Sequence, residues 1–164
     1  MKKLILIRHA KSSWKFNVID HERPLETRGV NDALLVSKHL LRSQLEVDLI
    51  LCSDALRTKK TAEIFNSCLK IDEKHIIFNH DLYDFEGSSL LEVIKSCNNS
   101  VDTLMVFGHN HALTYFVNTF GDRYIDNVPT SGVVIIEFNI DNWKDLNQGK
   151  TLQTLFPRDF RELS

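Results

Sequence analysis

Residues 4–14 read LILIRHAKSSW. Four aliphatic side chains, Leu4 to Ile7, run straight into Arg8 and His9 with no polar transition. A continuous apolar run of this kind is the pattern of a strand covered on both faces. A guanidinium and an imidazole therefore stand at the mouth of a buried strand. What collects beside them decides how the chain is read.

Four further apolar segments read as strands: Asp48–Cys52, His75–Phe78, Thr103–Phe107 and Gly132–Phe138. Helical patterns lie between them. Val30, Ala33, Leu34, Ser37 and Leu41 share one face, and so do Ala55, Thr58, Ala62, Phe65 and Leu69. Leu113, Phe116, Val117 and Phe120 follow the i, i+3, i+4, i+7 spacing. Ser89 and Glu92 have the spacing of a capping box ahead of Leu90, Ile94 and Cys97. Alternating β and α segments predict an α/β fold, a three-layer α/β/α sandwich with a mostly parallel central sheet. Near the C-terminus, LQTLF reads as an edge strand that Pro157 would end. No repeat or low-complexity segment is present, and residues 1–164 are expected to form a single domain.

In open α/β sheets, sites form beyond the carboxyl ends of the strands. Arg8 and His9 follow the first predicted strand, and Arg57 sits in the opening turns of the helix after the second. Asn79, His80, Asp81 and Asp84 follow the third, and Gly108-His109-Asn110-His111 the fourth. Separate strand ends thus bring two arginines, at least two histidines and a carboxylate toward one edge. Singly, each has a bland reading as a salt-bridge partner or a structural ring. Together they make a site for a tetrahedral oxyanion, because guanidinium offers paired donors to phosphate oxygens and helix N-termini add backbone donors.

No Walker loop, G-x-G-x-x-G or kinase signature is present. Cys52 precedes Arg57-Thr58 by four intervening residues, one short of the cysteine-phosphatase loop and without its glycines. Cys52 is better read as a small apolar strand residue. His109-Asn110-His111 could ligate a metal with help from Asp20-His21-Glu22 or His80-Asp81. An H-x-H in a helix-opening turn does not aim both rings at one point, and two arginines repel a cation. No metal and no cofactor is expected.

Composition narrows the partners. The net charge is −2, with 43% hydrophobic residues. That balance argues against nucleic acid or an anionic membrane as the main partner. No apolar run approaches the ~20 residues of a membrane helix. The N-terminal apolar stretch is too short for a signal peptide and has no small-residue cleavage site, so a cytoplasmic location is expected. Three cysteines with no C-x-x-C pair read as reduced thiols.

RHAKSSW after the first strand, DHERPLETRG next, LILCSDALRTKKTA around the second and MVFGHNHAL around a later one resemble the histidine phosphatase superfamily. The likeness covers roughly residues 3–138 and is nearest to the small SixA-type branch, the phosphohistidine phosphatases. It implies a phosphoglycerate mutase-like fold. It also implies that His9 is the nucleophile and that Arg8, Arg57 and His109 bind the transferred phosphoryl group. Asp84, in Leu82-Tyr83-Asp84, falls where the family places a proton donor; its alternative is a solvated loop carboxylate. Ser12, Ser13 and Lys15 are candidates to touch phosphate or to cap the loop. Ala10 stands where the family usually has Gly, and Lys15 where phosphoglycerate mutases often carry Asn. His111 stands where many relatives have Pro. The chain is too short for the insertions that form a substrate lid, and an open pocket suits a phosphorylated protein side chain.

The expected activity is that of a metal-independent phosphatase with a phosphohistidine intermediate on His9. It would act on phosphohistidine in a protein such as a histidine-containing phosphotransfer domain. The alternatives are a phosphomonoesterase for a small phosphorylated metabolite, a non-catalytic phosphate-reading module and a metal hydrolase.

Overall fold

The computed structural model describes residues 1–161. Six strands form one sheet in the order β3-β2-β4-β1-β5-β6. They are β1 (Lys2–Arg8), β2 (Leu49–Cys52), β3 (Ile76–Phe78), β4 (Thr103–Gly108), β5 (Val133–Phe138) and β6 (Lys150–Leu155). The first four run parallel. β5 returns antiparallel beside β1, and β6 antiparallel beside β5. The edge strand foreseen in LQTLF is β6, and Pro157 opens the short 3-10 turn that follows it.

Four helices cover the sheet: α1 (Thr27–Leu41), α2 (Leu56–Leu69), α3 (Ser88–Lys95) and α4 (Ala112–Phe120). Successive β1 side chains point to opposite faces. Leu4 and Leu6 enter a core shared with Leu90 and Ile94 of α3 and with Leu113, Phe116 and Val117 of α4. Ile5 and Ile7 enter the other, with Ala33, Val36 and Leu40 of α1 and Ala62 and Phe65 of α2. The strand is apolar throughout because both faces are covered, which gives the three-layer α/β/α arrangement.

Two local readings are corrected. The buried face of α1 is Gly29, Asp32, Ala33, Val36, Ser37 and Leu40, while Leu34 and Leu41 are exposed. The periodicity was right but rotated by about one residue, because Gly29 and Asp32, not scored as apolar, face inward. The Ser89–Glu92 capping box does not form: the N-cap of α3 is Gly87, which has no side chain to offer.

The packing of α1 against the loop after β1 bears on function. A Cβ on Gly29 would lie 2.2 Å from the Lys11 carbonyl oxygen. That oxygen also accepts the Glu26 backbone N–H at 2.9 Å. Only a hydrogen fits between the helix and the loop that carries Arg8 and His9. Gly29→Ala should therefore push the loop outward and lower unfolding free energy by about 1–3 kcal/mol, the usual cost of overpacking. Denaturant melts of the two proteins measure this; equal midpoints would show that the loop yields freely.

Candidate active site

Backbone hydrogen bonds anchor the loop that leaves β1. His9 N–H donates to Gly108 O at 3.1 Å, and Ala10 N–H to Thr61 Oγ1 at 2.8 Å. Ser13 N–H donates to Pro24 O at 2.8 Å. Ser131 adopts the left-handed backbone (φ 60°) and directs its N–H at both the Arg8 and His9 carbonyls, each at 3.1 Å. Groups from β4, α2 and the β5 entry thus fix where His9 stands.

His9 is 7% exposed. Its Nδ1 lies 2.7 Å from the Ala10 carbonyl oxygen. A carbonyl can only accept, so Nδ1 carries the hydrogen and the neutral ring keeps its lone pair on Nε2. Burial pushes the His9 pKa down to about 3, aided by Arg57, Arg8 and Arg23 and opposed by the Ala10 bond. His9 is held as a neutral base among cations.

His109 follows β4, its ring centroid 5.2 Å from that of His9. Its Nε2 meets Ser53 Oγ at 2.7 Å and Thr58 Oγ1 at 3.3 Å, while the buried Nδ1 has no partner among the described residues. With the Ser53 hydroxyl donating to Nε2, Nδ1–H is a spare donor. Burial pushes the His109 pKa down, and His9, Arg57 and Arg8 push the same way.

Arg57, 1% exposed, reaches the site from the first turn of α2. Its Nη1 donates to the Asp20 carbonyl oxygen at 2.7 Å and its Nη2 to Asp20 Oδ2 at 3.0 Å. Asp20 also accepts from Arg23 Nε at 3.0 Å and from the Tyr83 hydroxyl. Partial burial raises the Asp20 pKa, but the bonds from Tyr83, Arg57 and Arg23 outweigh it and hold the carboxyl well below its usual range. Arg23 is stacked on Trp14, 3.7 Å from guanidinium carbon to ring centroid, and donates to Ser12 Oγ. Arg8 Nη1 donates to Val128 O at 3.0 Å.

These groups surround a cavity of ≈ 280 Å³, lined among others by Arg8, His9, Lys11, Ser12, Arg23 and Arg57. A larger one of ≈ 640 Å³ lies along α3 and the β3 edge, but no Arg, Lys or His lines it, so it cannot hold an anion by charge.

Arg8, His9, Arg57 and Ser12 line the smaller cavity, and the His109 ring packs beside that of His9. Lys15 and Asp84 do not line it. Lys15 is exposed, its backbone N–H bonded to Ser13 Oγ, and Lys11 lines the cavity instead. The Asp84 carboxylate accepts the N–H groups of Glu86, Gly87 and Leu90, each at 3.0 Å. It supplies the cap that Gly87 cannot. Burial raises its pKa, but these backbone donors prevail and keep it low. A carboxylate so engaged is a poor proton donor. In the H-x-H, His109 is buried and His111 exposed. Cys52 is buried in β2, and burial pushes its thiol pKa up, as suits an apolar strand residue.

The reading from sequence missed Asp20 and Arg23 as members of the site. Both sit in the quoted DHERPLETRG segment, and nothing in its spacing shows that it folds back over the pocket.

A family model of the histidine phosphatase superfamily (branch 1) matches residues 4–104. An uncharacterized protein of Mycobacterium tuberculosis is 28% identical over 153 residues, covering 87% of this chain and 93% of its own. The structure of a protein histidine phosphatase SixA complexed with tungstate superposes with TM-score 0.78 at 18% identity, covering 97% of this chain and 99% of that one. A mycobacterial glucosyl-3-phosphoglycerate phosphatase superposes with TM-score 0.65 at 10% identity, over 92% and 97% of the two chains. The fold is phosphoglycerate mutase-like.

Four outcomes follow from this geometry. His9 and His109 should stay neutral at pH 5.5 in nitrogen-detected imidazole spectra, with the proton of His9 on Nδ1; a charged His9 ring there would contradict the site as described. The unfolded chain binds these protons near ~6.5 while the folded one does not, so stability falls as pH drops below that value. Asp84→Ala should cost about 0.5–2 kcal/mol of stability, the loss of a helix cap. Asp84→Asn should leave phosphatase turnover within about threefold of the parent, since no transition-state charge contact is lost; collapse of turnover in a folded Asp84→Asn would restore Asp84 as the acid.

Proposed function

The chain belongs to the histidine phosphatase superfamily, and from that membership we propose that it is a metal-independent phosphatase that removes phosphate from phosphohistidine in a protein. The observation that carries the substrate class is the state of the pocket's carboxylate. Asp20 is the one carboxylate lining it among the described residues, and it is held ionised by Arg57, Arg23 and Tyr83. Asp84 is bound to the backbone of α3. Among the described residues no carboxylic acid stands ready to protonate a leaving alkoxide, as phosphomonoesters of alcohols require. A leaving imidazole, with a pKa near ~6.5, departs neutral once its nitrogen has taken a proton from solvent.

The surroundings support a protein substrate. Trp14 (77% exposed) and Phe85 (42% exposed) line the cavity, and Phe16 and Ile19 lie exposed on the same loop as Trp14. An apolar rim around a small cationic pocket suits a side chain presented from another protein's surface.

In the first step His9 Nε2 attacks phosphorus in line while the bond to the substrate nitrogen breaks, leaving the phosphoryl group on Nε2. Arg8, Arg57 and the His109 Nδ1–H donate to the equatorial oxygens, where charge spreads in the transition state. Arg57 can turn from Asp20 toward the phosphoryl oxygens, exchanging one anion for another. In the second step water attacks phosphorus, the bond to Nε2 breaks, and phosphate leaves. The concentration of Arg8, Arg23, Arg57 and Lys11 supplies the positive charge that a dication supplies elsewhere, and disfavours one in the same place.

Assays should set a phosphohistidine-bearing phosphotransfer protein against a panel of sugar phosphates and phosphoglycerates. The expected result is a kcat/KM at least 100-fold higher for the protein, no turnover by His9→Ala, and a loss of about 10²–10³-fold in Arg57→Ala, the cost of one transition-state donor. Faster cleavage of a metabolite would assign the same site to small phosphomonoesters. Full turnover by His9→Ala would remove His9 as the nucleophile and with it the phosphohistidine intermediate.

A further inference from the structure

Outside the phosphate pocket, three side chains from separate parts of the chain meet. His21 lies in the 3-10 turn Asp20–Glu22, Asp54 in the β2–α2 loop, and His80 in the 3-10 turn His80–Leu82. Asp54 Oδ1 lies 2.8 Å from His21 Nε2 and 3.0 Å from His80 Nδ1. Within the described residues, one ligand atom of each lies within 4.8 Å of the other two. None of the three lines the pocket that holds His9. Tyr83 braces both rings, its centroid 5.0 Å from that of His21, edge to face, and 5.6 Å from that of His80.

We propose that His21, Asp54 and His80 bind one divalent transition-metal ion of the Zn²⁺ class beside the phosphate pocket. Two imidazoles and a carboxylate are the donor set that borderline cations such as Zn²⁺ prefer over hard ones. Bonds of about 2.0–2.2 Å at tetrahedral angles place ligand atoms roughly 3.3 Å apart, so the two histidine–carboxylate distances must open by about half an ångström or less, and the two histidine nitrogens, within 4.8 Å of each other, must settle at a similar separation. The exposed His80 ring can make that adjustment. Water completes the coordination on the open side. The charge environment also differs from that of the pocket: the ligands carry a carboxylate, and Asp20 and Asp81 adjoin the two histidines in sequence.

The ion would tie three loops together. His21 is covalently next to Asp20, which holds Arg57, and Tyr83 touches both the cluster and Asp20. Its task is to fix the wall of the pocket rather than to join the phosphoryl transfer, so the proposal stands or falls apart from the reaction assigned above.

Titration of the metal-free chain with Co²⁺ and with Zn²⁺, the latter competed by a chelating dye, tests it. The expected result is one equivalent of Zn²⁺ bound at micromolar affinity or tighter, a visible Co²⁺ absorption of low-coordinate type, and a higher Tm with Zn²⁺. His80→Gln and His21→Gln should each weaken binding at least tenfold and remove the Tm increase while far-ultraviolet circular dichroism stays unchanged. Absence of stoichiometric binding, or equal binding by the parent and both variants, would overturn the proposal and leave the cluster a hydrogen-bonded His–Asp–His bridge.

Discussion

The chemistry of this protein hangs on the hydrogen bond from His9 Nδ1 to the carbonyl of its own neighbour, Ala10, at 2.7 Å. It decides which ring nitrogen is free and turns that nitrogen away from the backbone. Burial among arginines would by itself yield a neutral ring of undefined tautomer. The carbonyl removes the ambiguity, and the bonds donated to Gly108 and Thr61 and accepted from Ser131 hold that carbonyl's loop still. Preorganisation of this kind lets a site stabilise charge without rearranging at the moment of reaction.

Crowding guanidiniums around a buried imidazole has a cost, and Asp20 offsets it. The carboxylate neutralises Arg57 and Arg23 and takes the Tyr83 hydroxyl as well. A buried cation without a counter-charge is strongly destabilising. The site thus carries an internal anion on the guanidinium that a phosphoryl group would claim. Binding becomes an exchange of carboxylate for phosphoryl, with less desolvation to meet than at a bare arginine. The neighbouring His21–Asp54–His80 cluster shares a turn with Asp20, so whatever steadies that turn also steadies the exchange.

Most of the architecture was legible because it rests on short-range signals. Leu4 to Ile7 predict a doubly covered strand, and the structure sends alternate residues into two cores. Arg8, His9, Arg57 and His109 were expected at one edge because strand ends converge in folds of this class, and the structure does place these side chains together. What stayed hidden depends on tertiary geometry. The buried face of α1 was misjudged because Asp32 is buried by an ion pair with Arg161, 129 residues away. Asp84 was read by position in a motif, yet Gly87 leaves the start of α3 without a cap and Asp84 fills that place. Asp20 and Arg23 belong to a segment whose path over the pocket depends on the Ser12–Leu25 bridge and the Ser13–Pro24 bond, which no local pattern announces.

The central claim concerns one nitrogen atom, and the phosphorylated enzyme tests it directly. The intermediate can be trapped by rapid quenching into alkali, digested, and its phosphohistidine isomer identified by phosphorus NMR. The account predicts phosphate on Nε2 of His9 alone. Phosphate on Nδ1, or on a residue other than His9, would contradict it.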